Sequence, residues 1–362
     1  MRRFRTSRTA AGLVAALVVA TVAATPAATG VAVGGKIGSF SGPRGLDIGP
    51  GGVMVVAKAN GAFGTVERSG KDRGTFTKLG RVPKGFLAPA LDMNSKREVY
   101  VLTVGGPRDA AGAGTLYKWT KADGRKRIAS IQDYQRTDKD PYDLEKKPRE
   151  SNPYGVAALE GGGALVADAA GNDLLKVADD GTVTTLAMVK PRVVRVPRGL
   201  GEDAPPAGSR IPSESVITSV TVGPDGYYYI GELRGFPATR GTSQVWRVAP
   251  DADHAVCDPE RPQRGKCTRY TGGLTSVVGL EFGAGGALYA LELAKRSWLK
   301  AELSENPAAA VGALVRISRD KSVRRELGGS KLAFPGDVAL DKRGRVFVTT
   351  PIFGPGTVRR VR

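Results

Sequence analysis

Three carboxylates occupy the same position in a pattern that recurs along this sequence. Each follows a short apolar run, and they are Asp168, Glu232 and Glu292. If the fold brings them together, such carboxylates act as a general acid and base or hold a divalent cation such as calcium. Equal placement in each repeat also lets a carboxylate accept hydrogen bonds from the turn that follows it. We favour this structural role, and an acidic cluster is the functional alternative.

The only histidine, His254, gives His-based catalysis a single location. Its neighbours Asp251, Asp253 and Asp258 lack the central glycine and closing glutamate of a calcium loop. One histidine and two cysteines that we expect to be oxidised leave too few ligands for zinc. The sequence also has no phosphate-binding loop and no nucleophile elbow. We therefore predict no catalytic residue, no metal site and no cofactor, while leaving a divalent cation such as calcium open.

Cys257 and Cys267 are the only cysteines, and both lie in a segment of residues 249–269 that is rich in Pro, Arg and Asp. Two cysteines in a secreted protein pair most simply with each other. We predict a disulfide that braces a long insertion. A stapled binding loop is the functional alternative.

The first residues have the pattern of a secretory signal peptide. Four arginines precede an apolar run of small residues from 10 to 24, and small residues suited to signal peptidase follow it. A membrane anchor is the alternative, but the run is shorter than the ~20 apolar residues that span a bilayer. We predict a signal peptide over residues 1–27 and a secreted, extracellular and monomeric domain over residues 28–362, without a transmembrane anchor.

Short apolar runs of four to six residues, separated by turns rich in Gly, Asp and Asn, must position the candidate residues. Such runs predict strands and hairpins, because they are too short and too interrupted for helices. A pair of runs recurs six times, and the first run of each pair covers residues 46–48, 91–93, 156–158, 220–222, 280–282 and 338–340. Four strands in roughly 40 residues make one blade of a propeller. We therefore predict an all-β fold, a six-bladed β-propeller with long inserted loops.

The last repeat is short of one strand, because only three strand candidates follow Phe334. The segment of residues 31–40, at the start of the mature chain, is placed to fill that gap. Filling it would close the ring and leave no unpaired strand edge. We predict that this segment supplies the outer strand of the last blade.

In a propeller the first strand of each blade lines the central tunnel, and the residues that lead into these strands ring one mouth. By repeat position this ring holds Arg44, Pro89, Asn152, Tyr154, Thr218, Ser219, Ser276 and Asp337. A few convergent polar groups are enough to orient a small polar ligand. The residues that we predict for such a site are Arg44, Asn152, Tyr154, Ser219 and Asp337. The alternative is structural: Asn152 caps a turn, Asp337 binds nearby backbone, and water fills the tunnel.

The chain is strongly basic, with 54 Lys and Arg against 35 Asp and Glu and a net charge of +19. Loss of four arginines with the signal peptide leaves about +15. Such a charge favours anionic partners, and outside a cell these are cell-wall polymers, acidic polysaccharides and membrane surfaces. Specific nucleic-acid binding is not expected, because aromatic and basic residues do not interleave as they do in strand-binding grooves. Since the charges are spread along the chain, solubility is the alternative explanation.

Two pieces of the sequence resemble a known family of secreted proteins. They are Asn152-Pro153-Tyr154-Gly155 and Gly231-Glu232-Leu233-Arg234-Gly235-Phe236-Pro237, and the resemblance to the ScyD/ScyE-like proteins runs over nearly all of the mature chain. It implies a six-bladed β-propeller related distantly to NHL-repeat and gluconolactonase-type propellers. It implies little about activity, because that family has no settled biochemical function. Two departures, Gly279 in place of an aspartate and Ala284-Gly285-Gly286 in place of a Pro-Asp-Gly turn, weaken the case for an acidic site.

Two functions are compatible with these features. One is a secreted, non-catalytic propeller that binds a small polar ligand or an anionic cell-surface polymer. The other is a lactonase-like or lyase-like enzyme that acts at the tunnel mouth. Fold alone does not choose between them. We favour the binding protein, because few side chains at the mouth are suited to acid–base chemistry.

Overall fold

The structure of the protein is a computed structural model that describes residues 35–107 and 110–361. The signal peptide predicted over residues 1–27 lies outside the described residues, so it stays a prediction. Within the described part of the chain, every helix is too short or too polar to traverse a bilayer.

Six antiparallel four-stranded sheets form the blades of a propeller, numbered here by the position of their inner strands along the chain. Blade 1 holds β2 (Leu46–Ile48), β3 (Met54–Ala57), β4 (Ala62–Val66) and β5 (Phe76–Arg81). Blade 2 holds β6 (Ala90–Met93), β7 (Val99–Leu102), β8 (Thr115–Thr120) and β9 (Gly124–Ser130). Blade 3 holds β10 (Pro153–Ala158), β11 (Ala164–Asp168), β12 (Asp173–Val177) and β13 (Val183–Val189).

The remaining blades follow the same order. Blade 4 holds β16 (Ile217–Val222), β17 (Tyr228–Glu232), β18 (Ser243–Val248) and β20 (Cys267–Leu274). Blade 5 holds β21 (Val277–Phe282), β22 (Leu288–Glu292), β23 (Ala313–Ile317) and β24 (Arg324–Leu327). Blade 6 holds β25 (Val338–Leu340), β26 (Val346–Thr350), β27 (Pro355–Val361) and β1 (Lys36–Ser41). The predicted fold, a six-bladed β-propeller, is confirmed.

A few elements lie outside the blades. A separate hairpin joins β14 (Arg192–Arg195) to β15 (Arg210–Ser213), and β19 (Ala255–Cys257) adds a fifth strand to blade 3. Among the described residues, the α-helices are α1 (Ile131–Gln135) and α2 (Trp298–Glu302), and short 3-10 turns cover Pro50–Gly52, Pro307–Ala310 and Gly329–Lys331.

The ring is closed by the first strand of the chain. Strand β1 pairs antiparallel with β27, and the register sets Phe40 opposite Gly356 and Ser41 opposite Pro355. The last blade therefore takes its outer strand from the N-terminal end of the domain, as predicted. The strand begins at Lys36, and residues 31–34 of the predicted segment lie outside the described residues.

Apolar side chains fill the gaps between neighbouring blades instead of one central core. Between blades 3 and 4, Trp246, Leu174 and Ile217 are fully buried in a single cluster. Successive side chains of a strand point to opposite faces of its sheet, so each blade packs against both of its neighbours. Each inner strand also contacts the inner strands of the two adjacent blades, which leaves a narrow central tunnel.

Most of the long insertions lie at one end of this tunnel. In an antiparallel blade, the connection into the inner strand and the connection between the second and third strands lie at the same end. The insertions that belong to such connections include residues 131–152, 190–216, 293–312 and 328–337. We call this end the insertion face.

The insertion between β18 and β20 is an exception, because it begins at the opposite end. Its strand β19 crosses to the outer edge of blade 3 and pairs in parallel with β13, setting Ala255 opposite Ala187. Cys257, at the end of β19, is bonded to Cys267, at the start of β20, with the two Cα atoms 4.9 Å apart. The predicted disulfide is confirmed.

Candidate functional sites

The inner strands bring four of the five predicted tunnel residues together. Arg44, Tyr154, Ser219 and Asp337 line a cavity of about 30 Å³ that follows the tunnel near the insertion face. A cavity of this size holds a few water molecules at most, whereas small-molecule sites usually span ~300–1,000 Å³. That these residues bind a ligand stays a prediction.

Close approach of the inner strands makes the tunnel narrow. A Cβ atom added at Gly45 would lie 2.7 Å from the carbonyl oxygen of Pro89, and one at Gly155 would lie 2.9 Å from the carbonyl oxygen of Thr218. Glycine is therefore required at both positions, because any side chain would push adjacent blades apart.

Arg44 closes much of the mouth. Its side chain is 3% exposed, and its Nη1 donates a hydrogen bond to the carbonyl oxygen of Ala88 at 3.0 Å. Its Nη2 donates to the carbonyl oxygen of Tyr154, and its Cζ lies 3.9 Å from the centroid of the Tyr154 ring. The cation thus ties the segment before blade 1 to the segments entering blades 2 and 3, with its charge over an aromatic face.

Asp337 joins the last blade to the first. Its Oδ2 accepts a hydrogen bond from the amide of Leu46 at 3.1 Å, and its Oδ1 accepts one from the amide of Val338 at 2.9 Å. Burial raises the pKa of this carboxyl to about 7, although the two amides and the charge of Arg44 oppose the shift. This is the backbone-binding role that the sequence offered as the structural alternative.

Asn152 and Ser219 differ in their surroundings. The Oδ1 of Asn152 accepts a hydrogen bond from the amide of Gly105 at 3.2 Å, and Asn152 is not among the residues that line the cavity. The Oγ of Ser219 is buried and has no hydrogen-bond partner among the described residues. Asn152 therefore ties the segment that enters blade 3 to the β7–β8 loop of blade 2 and does not cap its own turn, while Ser219 lines the cavity with a hydroxyl that has no partner among the described residues.

Sequence reasoning missed three tunnel carboxylates. Asp47, Asp92 and Glu281 occupy the same position of their inner strands, the residue after Leu46, Leu91 and Leu280 respectively. The sequence did carry a signal for these carboxylates. In three of the six repeats, the first apolar run has an acidic residue between two apolar residues.

Two of these carboxylates form the same bridge between blades as Asp337. The Oδ2 of Asp47 accepts a hydrogen bond from the amide of Met93 in blade 2 at 3.2 Å. The Oδ2 of Asp92 accepts one from the amide of Ala158 in blade 3 at 2.7 Å. Amides on the tunnel edge of an inner strand have no partner in their own sheet, so the acid of the preceding blade satisfies them.

Burial and mutual repulsion favour the neutral form of the tunnel acids. Burial, and then the charge of Glu281, raise the pKa of Asp47 to about 7. Burial, and then the charges of Asp92 and Asp337, raise the pKa of Glu281 to about 8. Burial and the charge of Asp47 raise the pKa of Asp92 well above its ordinary value. The described residues contain no group of three or more His, Cys, Asp or Glu side chains arranged to hold a metal ion.

The structure does not bring the three carboxylates of the predicted acidic cluster together. Each is the last residue of the second strand of its own blade, and each accepts hydrogen bonds from donors of that blade or of the loop beside it. Asp168 accepts hydrogen bonds from Oγ of Ser151 (2.6 Å) and from the amides of Asn152 (2.7 Å), Ala170 (3.0 Å) and Gly171 (3.1 Å). Glu232 accepts from Nε1 of Trp246 (2.7 Å) and from the amide of Gln244 (2.9 Å). Glu292 accepts from the amide of Thr275 (2.8 Å). These contacts support the structural role that the sequence favoured.

A larger cavity lies at the outer edge of blades 3 and 4. Its volume is about 430 Å³, and we call it the rim pocket. The residues that line it are Lys190, Asp253, Ala255, Val256, Asp258, Arg261, Arg264, Gly265 and Lys266. Four of these side chains are cationic and two are acidic, so the pocket is basic.

Asp258 organises one side of the rim pocket. Its Oδ2 accepts from Nζ of Lys190 at 3.2 Å and from Nη2 of Arg261 at 3.1 Å, while its Oδ1 accepts from the amide of Glu260 at 2.9 Å. Burial alone would raise the pKa of this carboxyl, but these hydrogen bonds together lower it to about 2. Asp258 is therefore ionised at neutral pH and holds two of the four cations in place.

His254 takes no part in either cavity. Its Nδ1 lies 2.6 Å from Oδ1 of Asp253, and both side chains are exposed. This is the arrangement of a solvated loop histidine, and it gives no support to a histidine-based catalytic triad.

The comparisons with known proteins show the fold alone. The sequence matches no protein-family model, and no curated protein matches it. A glucose dehydrogenase structure has a TM-score of 0.56 at 13% identity, covering 91% of this chain and 98% of that chain. A protein of unknown function from Bacteroides thetaiotaomicron VPI-5482 has a TM-score of 0.55 at 11% identity, covering 91% of this chain and 72% of that chain.

A third solved structure, the PQQ-bound aldose sugar dehydrogenase from Streptomyces coelicolor, has a TM-score of 0.50 at 13% identity. The alignment covers 94% of this chain and 100% of that chain. These similarities support the six-bladed propeller, and the resemblance to ScyD/ScyE-like proteins stays a prediction.

Proposed function

We propose that this chain is a secreted, non-catalytic β-propeller that binds anionic groups of an extracellular polymer in the rim pocket. The observation that carries the proposal is a cavity of about 430 Å³ lined by four cationic and two acidic side chains. Its volume falls within the ~300–1,000 Å³ that is usual for ligand sites. The charge of about +15 that remains after loss of the four arginines of the signal peptide adds long-range attraction for the same class of ligand.

Two of the four cations are available to a ligand. Arg264 has no carboxylate within ion-pair distance among the described residues, and its side chain is exposed. Lys266 pairs with Asp251, whose side chain is 75% exposed, and such surface pairs contribute little free energy. A carboxylate or phosphate can therefore replace solvent at Arg264 and compete with Asp251 for Lys266, and arginine binds such groups through two parallel hydrogen bonds.

The rim pocket is held rigid before any ligand binds. The disulfide fixes Cys257 to Cys267, and the pairing of β19 with β13 fixes the floor of the pocket. Backbone hydrogen bonds close the two edges of the pocket. The amide of Lys190 donates to the carbonyl oxygen of Cys257 at 3.2 Å, and the amide of Ala249 donates to the carbonyl oxygen of Lys266 at 2.8 Å. A preformed site loses little conformational entropy on binding, which favours affinity.

The alternative, a lactonase-like or lyase-like enzyme at the tunnel mouth, has less support. A substrate would have to lie beside Asp337, where the cavity is only about 30 Å³. Both oxygens of that carboxylate already accept hydrogen bonds from backbone amides. A general base needs free access to the proton that it removes.

The proposal can be tested by titrating the purified domain with polygalacturonate, which carries carboxylates, and with polyphosphate. The double variant R264A/K266A should bind the preferred polymer about tenfold or more weakly, because hydrogen bonds to charged groups contribute ~1.5–3 kcal/mol each. The matched control K71A/K342A removes two exposed lysines from blades 1 and 6, across the ring, and should bind like the parent. Equal weakening in both variants, or no binding by the parent protein, would contradict the proposal.

A further inference from the structure

We infer that the β14–β15 hairpin extends the rim pocket into an elongated binding track, so that the ligand is a linear acidic polysaccharide and not an isolated anion. This inference rests on the proposed function, because the rim pocket is one end of the track. We call β14 and β15 together the arginine hairpin.

The arginine hairpin has one buried and one exposed face. Val194 in β14 and Val196, just after that strand, are buried. The opposite face presents Val193, which is 48% exposed, together with Arg195 and Arg210. The hairpin is a separate two-stranded sheet, and the exposure of these three side chains shows that its outer face is open to solvent.

Arg195 and Arg210 stand directly opposite each other on the exposed face. Like charges in this cross-strand position repel and destabilise a hairpin. Nη1 of Arg195 donates to the carbonyl oxygen of Gly208 at 3.3 Å, and no carboxylate of the described residues forms an ion pair with either arginine. A carboxylate placed between the two guanidinium groups would remove the repulsion and accept hydrogen bonds from both.

The arginine hairpin continues directly from the rim pocket. Lys190 lines the pocket, and β14 begins two residues later at Arg192. Nη1 of Arg192 donates a hydrogen bond to the carbonyl oxygen of Thr242 at 3.2 Å. Oγ1 of Thr239 donates one to the carbonyl oxygen of Arg195 at 2.7 Å. Blade 4 therefore fixes the hairpin in place. At ~3.3 Å per extended residue, Arg195 lies at most about 17 Å from Lys190. A chain of several sugar units can span this distance and contact both.

The chemistry of the track favours a polysaccharide over single-stranded nucleic acid. Strand-binding grooves stack bases on aromatic side chains. Neither β14 nor β15 contains an aromatic residue, and the aliphatic Val193 and Pro212 pair on the exposed face beside the arginines. Such a surface suits the apolar C–H faces and charged carboxylates of an acidic sugar chain.

The test compares galacturonate dimers with long polygalacturonate by calorimetry. The variant R195A/R210A should bind the dimer like the parent and the long polymer about tenfold more weakly. The variant R264A/K266A should lose affinity for both ligands. A second variant, R195K/R210K, keeps the positive charges but loses the bidentate guanidinium groups, and it should recover part of the affinity for the polymer. The melting temperature of each variant reports whether it is folded.

Three results would overturn the inference. If R195A/R210A is folded and binds long polygalacturonate like the parent, the hairpin takes no part, although the proposed function stands. If single-stranded DNA, polyphosphate or anionic vesicles bind more tightly than polygalacturonate, the ligand class is wrong. If the parent binds neither dimer nor polymer, the proposed function fails together with the inference.

Discussion

The carboxylate of Asp337 accepts a hydrogen bond from the amide of Leu46 at 3.1 Å and so links the last blade of the propeller to the first. Asp47 and Asp92 make equivalent contacts with Met93 and Ala158 in the blades that follow them. The tunnel acids therefore act as bridges between inner strands. These contacts support a structural role for the tunnel acids, and the ligand site that we propose lies at the outer edge of the ring.

Replacing Asp337 with Ala should lower stability and leave polymer binding unchanged. The variant loses both acceptor oxygens and leaves the amide of Leu46 without a partner, which costs ~1–3 kcal/mol. We expect the melting temperature to fall by a few degrees, and the polygalacturonate titration to match that of the parent. An unchanged melt with lost binding would instead place the ligand at the tunnel mouth.

Stability should fall as pH rises from 5 to 9. Asp47 and Asp337 have a folded-state pKa of about 7 and Glu281 one of about 8, all above the values of the unfolded chain. Groups with a raised folded-state pKa contribute stability that is fully present below the unfolded pKa and is lost as pH rises through the folded pKa. The free energy of unfolding, measured with urea, should therefore be higher at pH 5 than at pH 9.

The variant E281Q provides the control for this pH dependence. Glutamine cannot ionise, so the slope of the free energy of unfolding between pH 7 and 9 should become shallower than in the parent. A slope that is the same in E281Q, or a parent protein that is more stable at pH 9 than at pH 5, would show that the tunnel acids do not titrate as described.

The carboxylate of Glu232 should matter more than that of Glu292. Glu232 forms a buried ion pair with Arg234 and accepts a hydrogen bond from Nε1 of Trp246 at 2.7 Å. Removing one partner of a buried pair costs ~3–5 kcal/mol, so E232Q should be strongly destabilised in urea. Glu292 forms no ion pair with the described residues and accepts one hydrogen bond, from the amide of Thr275 at 2.8 Å, so the matched variant E292Q should cost far less. Equal stability of the two variants would argue against the buried pair.

The disulfide should support the rim pocket more than the propeller. Denatured protein should show no free thiols, and C257S/C267S should lose at most ~3 kcal/mol because the closed loop is short. The same variant should bind polygalacturonate several-fold more weakly, since β19 is no longer linked to β20. Full binding by the double serine variant would show that the pocket does not depend on the crosslink.

The fold could be predicted because its signals are local. Strand and turn residues recur within each blade, and the missing strand of the last repeat pointed to the N-terminal segment. The bridges between blades were not predicted, since Asp47 and Met93 are separated by 46 residues and meet only when the ring closes. The sequence offered a stapled binding loop over residues 249–269 only as an alternative, and nothing in it showed that β19 leaves its own blade to pair with β13 and form the rim pocket. Only the cysteines in that segment indicated that it is ordered.

The most direct test of the central claim is a crystal structure of the domain with a galacturonate oligomer. We predict electron density for the sugar in the rim pocket, with a carboxylate within hydrogen-bond distance of Arg264 or Lys266. Density at the tunnel mouth beside Arg44 and Asp337, with an empty rim pocket, would contradict the account.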